Sequence, residues 1–491
     1  MRANLSFLYF LAFSLMLLGG CSFAGDEDRA RVTVVEDSKT RINPVGIRLN
    51  FASATMRSAI AKGLVGLDEE GRVVPALAAR WIVTDDGLSY IFRLNEARWD
   101  DGRQVTSERI AKLLTERFRE LGTSRLGSDL KIIDEVLSMT GRVIEIRLNA
   151  PQPNFLQLMA QPELGLFRAG HGAGPMRLVD ETQDFILGIF EEPTTKNENS
   201  EEKEDTRQVT LRMDSAALAI ARFNAGQADV VLGGKFHHLP LIEQAGIDSS
   251  QIKLDPVAGL FGLQFFNASG FWAAAENREI LAMAIDRPAL LTSFNLTAWQ
   301  SRQKIIPEAL DVEGINARPD WAPMTMAERR EFARQHVSRW KSSGETVEPL
   351  RIGLPDAAGA DILFLRIRAD LRRVGLDARK VSLNEENDAR LVDQIAPYDS
   401  AVWFLSRLTC TQTPVCINDA DEKIAEGNAA TNLEIKAKLY AEAEIILVNH
   451  YNYIPLGVPI RWSITRANQR GFAVNPRGWH PLNSLVGIPI S

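Results

Sequence analysis

Residues 62–110 read KGLVGLDEEGRVVPALAARWIVTDDGLSYIFRLNEARWDDGRQVTSERI, and much of the fold can be argued outward from them. Ser89–Leu94 alternates, with Tyr90, Phe92 and Leu94 on one side, as a half-buried strand does. Asp85 and Asp86 stand before Gly87, which reads as a turn. Trp81, Tyr90, Phe92 and Trp99 are expected to pack as a core rather than to face a ligand. After Gly102 the period changes. Ile110, Leu113, Leu114 and Phe118 share one helical face, Thr106 or Ser107 can cap its start, and Gly122 suits its end.

The same two periods recur along the chain. Residues 142–148 alternate through Ile144, Ile146 and Leu148; 361–383 reads as a helix closed by Gly375 and followed by a strand; 433–450 reads as an amphipathic helix. No fixed-period repeat is present. The expectation is an α/β protein with mixed sheets, and 491 residues imply more than one core. Residues 191–205, EEPTTKNENSEEKED, hold no large apolar side chain and predict a solvated loop. A net charge of −7 with no basic stretch argues against a nucleic-acid partner, because nothing is placed to neutralise phosphates.

At the start, Arg2 precedes an apolar run from Leu5 to Leu18, too short for the roughly 20 residues that span a bilayer. A positive start, a short apolar run and the small residues Gly19 and Gly20 are the layout of an export signal. Outside the cytoplasm, Cys410 and Cys416 can pair. They would close a loop of about seven residues, worth about 2 kcal/mol, which points to local shaping of a loop. Two free thiols and a metal-bound pair are the alternatives; the metal is the weaker, since no histidine lies near them in sequence.

Motifs for catalysis are missing. There is no G-x-S-x-G, no H-E-x-x-H and no Walker loop; GGKF at 233–236 lacks the upstream glycine and the Ser/Thr. In GHGAGP (170–175), Pro175 stands where a dinucleotide pattern needs its third glycine, so a tight turn is expected. Of six histidines only His237 and His238 are adjacent, and adjacent side chains diverge on any regular element, which argues against a metal site. No cofactor, metal or enzymatic activity is expected.

Residues 62–110 also resemble the signature of the family 5 extracellular solute-binding proteins, through Gly63, Leu64, Asp68, Gly71, Pro75–Ala78, Trp81, Asp86, Gly87, Phe92, Leu94, Trp99, Asp101 and Gly102. Further segments follow in the family's order: GAGPMRL (172–178), ARFNAGQADVV (221–231), LQFFNASG with NREILAMAIDRPAL (263–290), LRRVGLDARKVSL (371–383), NYIPLGVPIRW (452–462) and RGFAVNPRGWHPL (470–482). That family serves ABC importers of oligopeptides, dipeptides, nickel chelates and some sugars. The resemblance implies a two-lobed, periplasmic-binding-protein type II-like (class C) fold with an additional inserted domain. Lobe I would comprise 30–60, 166–260 and 470–491, the insert 61–165, and lobe II 261–469, with the ligand in the cleft between lobes. LGGC (18–21) is similar to a lipobox, which implies a signal peptide over 1–20, a tether over 21–29, and lipidation at Cys21 as a membrane anchor in the periplasm or envelope. The implied partners are a small peptide-like or anionic solute and the permease subunits of an importer, bound by a monomer.

One departure bears on the ligand. YDSAVWFLSRLTC (398–410) is similar to the family segment whose aspartate captures a peptide's ammonium, yet this chain has Ser406 and Arg407 and no acid there. The following segment is shortened and holds Cys410 and Cys416. Trp403, Phe404, Ser406, Arg407 and Asn267 are therefore the implied ligand-binding residues. Arg407 could offer its fork of donors to a carboxylate or phosphate, or could face solvent or pair with an acid such as Asp399. The alternative function is a transport-inactive lipoprotein that acts as an envelope sensor or interaction partner.

Overall fold

Strand Arg29–Val35 buries both of its faces, as a central parallel strand must, and runs parallel to Gln208–Asp214 and Val230–Lys235. In this computed structural model, residues 29–487 are described except 38–39, 140, 182–184, 190–206, 297–298, 309, 311–316 and 468. The apolar N-terminal run, Cys21 and the acidic stretch 191–205 lie outside the described residues. No helix among those described is long and apolar enough to cross a membrane.

The central strand belongs to a seven-stranded sheet. Phe185–Ile189 and Met176–Glu181 extend it on one side, and Arg461–Thr465 and Ile252–Leu254 on the other. A five-stranded sheet forms around Gly259–Phe265, every residue of which is buried. Ala389–Ile395 and Tyr453–Gly457 flank that strand antiparallel, and Leu350–Leu354 and Ala378–Ser382 add parallel neighbours. A four-stranded antiparallel sheet holds Ala78–Val83, Ser89–Leu94, Val143–Leu148 and Ile133–Met139. The architecture is thus α/β with mixed sheets.

Local readings of the sequence meet their elements closely. The helix Ser107–Leu121 starts at Thr106, whose hydroxyl accepts the Arg109 N–H. The helix Ala358–Arg373 stops before Gly375 at φ +84°, a conformation that favours glycine, and Ala378–Ser382 follows. The helix Leu433–His450 has the expected bounds. Tyr90, Phe92 and Trp99 are buried in one core, and Trp81 packs against it only partly buried. The GHGAGP segment is a tight turn: a Cβ on Gly172 would lie 1.9 Å from the Ile60 carbonyl oxygen, so the close approach to helix Phe51–Ile60 requires glycine.

The two larger sheets are joined by two crossings. The chain leaves the seven-stranded sheet after Leu254 and enters the five-stranded one at Gly259; it returns between Gly457 and Arg461. The crossings run side by side, with Asp255 N–H donating to the Arg461 carbonyl at 3.0 Å. Arg461–Thr465, inside the range 261–469 expected for lobe II, pairs instead within the seven-stranded sheet. Its buried Trp462 and Ile464 would suit either sheet, so apolar patterning could not assign it. Leu482, Leu485 and Val486 then pack with Val32 and Val34 in the seven-stranded sheet's core.

Candidate ligand-binding site

Ala396 closes strand Ala389–Ile395 against the first crossing, its N–H donating to the Ala258 carbonyl. Three residues on, Asp399 is held by both terminal nitrogens of Arg477, and Gln157 and Asn154 donate to its side-chain and backbone oxygens respectively. Asp399, just beyond strand Ala389–Ile395, thereby ties residues 154–157 to the C-terminal Arg477. Burial pushes its carboxyl upward, but the Arg477 hydrogen bonds and charge, aided by Gln157, win and leave its pKa below the ordinary value.

The helix Ala401–Ser406 runs on from there. Trp403 and Phe404, expected to bind ligand, are only 2% and 0% exposed and belong to the core that also holds Tyr90, Phe92 and Ile144 of the four-stranded sheet. The apolar face of this short helix, Ala401–Ser406, turns both rings into that core, so they support the wall rather than offer it. Ser406 Oγ donates to the Trp403 carbonyl at 3.2 Å and accepts from Arg407 at 2.7 Å. Arg407 does pair with an acid, but with Asp129 and not Asp399: its terminal nitrogens lie 3.2 and 2.9 Å from the two carboxylate oxygens. Its guanidinium also sits 5.0 Å from the Trp403 ring centroid.

Asn267 is brought to the same end of the second lobe. Its N–H donates to the Asp388 carbonyl at 3.1 Å, and three residues earlier Gln264 donates to the Arg407 carbonyl at 3.5 Å. Cys410 and Cys416 are disulfide-bonded. Their loop is docked on the second lobe, where Thr413 donates to the Phe265 carbonyl and Asn452 to the Val415 carbonyl. Two further arginines stand nearby. Arg390 lies 3.5 Å from the Phe266 ring centroid, and burial lowers its pKa. Burial lowers that of Arg125 as well, and the charges of Arg407 and Arg390 lower it further. Neither Arg125 nor Arg390 has an ion-pair partner among the described residues.

The facing edges of the two large sheets also meet. His237 and His238 follow strand Val230–Lys235, and helix Ala358–Arg373 follows strand Leu350–Leu354. A Cβ on Gly359 would lie 2.6 Å from the His237 Cα, so the backbones touch across the lobes. The two histidines do not diverge as expected. They sit in a single 3-10 turn, Phe236–His238, with ring centroids 4.1 Å apart and both Nε2 atoms on the Asp37 carboxylate.

The family profile described as Bacterial extracellular solute-binding proteins, family 5 Middle, matches residues 72–312. The glutathione-binding protein GsiB of Escherichia coli (strain K12) is 21% identical, over 95% of this chain and 95% of that protein. The probable di/tripeptide-binding protein 5 of Pseudomonas aeruginosa (strain UCBPP-PA14) is also 21% identical, over 89% and 93%. The structure of the Escherichia coli murein tripeptide binding protein MppA superposes with a TM-score of 0.74 at 17% identity, covering 92% of this chain and 97% of that one. The chain belongs to the family 5 extracellular solute-binding proteins. Its two-lobed fold is that of the solved relatives.

Within this family 5 protein, the residues that sequence reasoning missed are the partners. Asp129 and Arg477 occupy the two groups, Arg407 and Asp399, that could otherwise have met a charged solute. Nothing local in the sequence marks them, since 278 and 78 residues separate the pairs. The arrangement offers hydrogen bonds and positive charge.

Proposed function

We propose that this chain is the solute-binding lipoprotein of an ABC importer, capturing a small solute between its lobes and delivering it to a membrane permease. The observation that carries the reading is the paired crossing at 255–258 and 458–460, a two-stranded hinge on which the lobes can close over a ligand. Lobe I would comprise the seven-stranded sheet with its C-terminal segment, residues 61–165 the insert, and the five-stranded sheet lobe II. Anchoring through lipidated Cys21 would hold the protein at the envelope, and a binding role without catalysis is consistent with the family.

The solute is proposed to be anionic or to lack a free ammonium. Ser406 stands where the resemblance places an aspartate, and two acids of this region, Asp129 and Asp399, are each held by an arginine. An ammonium without its buried carboxylate forgoes about 3–5 kcal/mol, a hundredfold or more in affinity at about 1.4 kcal/mol per tenfold. Arg125 and Arg390, in contrast, are free to meet a carboxylate or phosphate. Calorimetry with matched free and N-acetylated di- and tripeptides tests this. Weak binding of the free amines is expected, and a tenfold preference for them would overturn the proposal.

A second reading, a transport-inactive sensor or interaction partner, draws on the aromatic seam between the lobes. Phe236 of lobe I lies 5.0 Å from Phe261 and 6.0 Å from Phe294, buried in a core common to both lobes. A radius of gyration that no solute changes would favour this reading over import.

A further inference from the structure

We propose that Asp37, His237 and His238 form a binding site for one divalent transition-metal ion of the zinc or nickel kind, at the edge of lobe I beneath lobe II. Asp37 lies two residues beyond strand Arg29–Val35, and the histidines lie just beyond its parallel neighbour Val230–Lys235. The carboxyl ends of adjacent parallel strands are where open α/β sheets gather ligands.

The geometry suits an ion of this kind. His238 Nε2 is 2.8 Å from Asp37 Oδ1, His237 Nε2 is 3.2 Å from Oδ2, and the three donor groups lie within 4.8 Å of one another. Ligands held at about 2.0–2.1 Å from a tetrahedral metal are about 3.3 Å apart, so only small shifts are needed. Two imidazoles and one carboxylate select zinc, nickel or copper over calcium and magnesium, which take oxygen donors. Both rings are 4% exposed, and His237 is held edge-on to Phe236 at 5.1 Å. Asp37 is half exposed and gives an ion a way in. Three protein ligands leave a coordination position for water.

Two neighbours must adjust. An imidazole that binds metal through Nε2 carries its proton on Nδ1. His237 Nδ1 is buried without a hydrogen-bond partner, so no existing bond is lost there. His238 Nδ1 gives up the Lys235 N–H, a long contact of 3.4 Å. The Lys235 ammonium, 3.4 Å from Asp37 and one-third exposed, must swing into solvent.

The test is calorimetric titration of untagged, chelator-treated protein with zinc chloride or nickel chloride alone. One equivalent is expected to bind at micromolar Kd or tighter, with His237→Gln and His238→Gln each weakening it tenfold or more. His450→Gln, on an exposed helix end, should leave it unchanged. Melting curves in chelator check that the variants fold. Should they not, X-ray absorption of the wild-type zinc complex is expected to show two imidazole shells. No saturable binding by the wild type, affinity unchanged in both histidine variants, or a zinc shell without imidazole would overturn the proposal and leave the cluster as a hydrogen-bonded clasp.

Discussion

Arg407 and Asp129 form a two-pronged ion pair between segments 278 residues apart, with side chains only 9% and 5% exposed. At that depth each charge depends on the other. Arg407→Ala should therefore cost about 3–5 kcal/mol, because it strands the aspartate and removes the packing on Trp403. Replacing both partners together, Asp129→Leu with Arg407→Met, should cost less than Arg407→Ala alone. Urea midpoints compare the two, and equal losses would mean that the pair is not the source of the stability.

Asp399 gives a pH signature. Its folded pKa is lowered by Arg477, so the stability it contributes is present above the unfolded value of about 3.9 and is lost as pH falls through the lower folded value. Asp399→Asn should destabilise the protein at neutral pH, and the difference from wild type should shrink in acid. A difference that stays constant from pH 7 down to the acid transition would contradict this coupling.

The disulfide closes a short loop that is already docked through Thr413 and Asn452. Replacing Cys410 and Cys416 by Ser should lower stability by only about 2 kcal/mol. Thermal melting with and without reductant provides the measurement, and loss of folding on reduction would show a larger role.

Gly359 permits a close backbone approach to His237. Gly359→Val places side-chain atoms against the His237 backbone, and overpacking of this kind costs about 1–3 kcal/mol. Solute affinity should fall roughly 5- to 100-fold at about 1.4 kcal/mol per tenfold, with a larger radius of gyration by solution scattering. Unchanged affinity would show that this edge does not close on the solute.

Cys21→Ala should yield an unprocessed or soluble protein, if lipid at that residue is the anchor. Fractionation followed by mass spectrometry decides it. A variant still processed and still membrane-bound would exclude lipidation at Cys21.

The fold was legible where local pattern decides structure. The alternation of Tyr90, Phe92 and Leu94 and the cap at Thr106 require only neighbours in sequence. Arg461–Thr465 was not legible, because an apolar strand after a crossing carries no mark of the sheet it joins. At the site, Ser406 and Arg407 were identified from the departure they make, but their roles were set by a partner 278 residues away. The resemblance placed Trp403 among the ligand-binding residues, but it lies buried in the core, since a shared segment position does not fix which way a short helix faces. His237 and His238 were discounted on the geometry of regular elements; a single 3-10 turn and an aspartate 200 residues away turned both rings to one point.

The central claim is that a small solute without a free ammonium is captured between the hinged lobes. Native mass spectrometry of protein freshly purified from its own envelope tests it most directly. A 1:1 complex is expected, with a solute released on denaturation that carries a carboxylate or phosphate, or a blocked amine. A retained peptide with a free N-terminus, or a protein that stays empty even after exposure to cell extract, would contradict it.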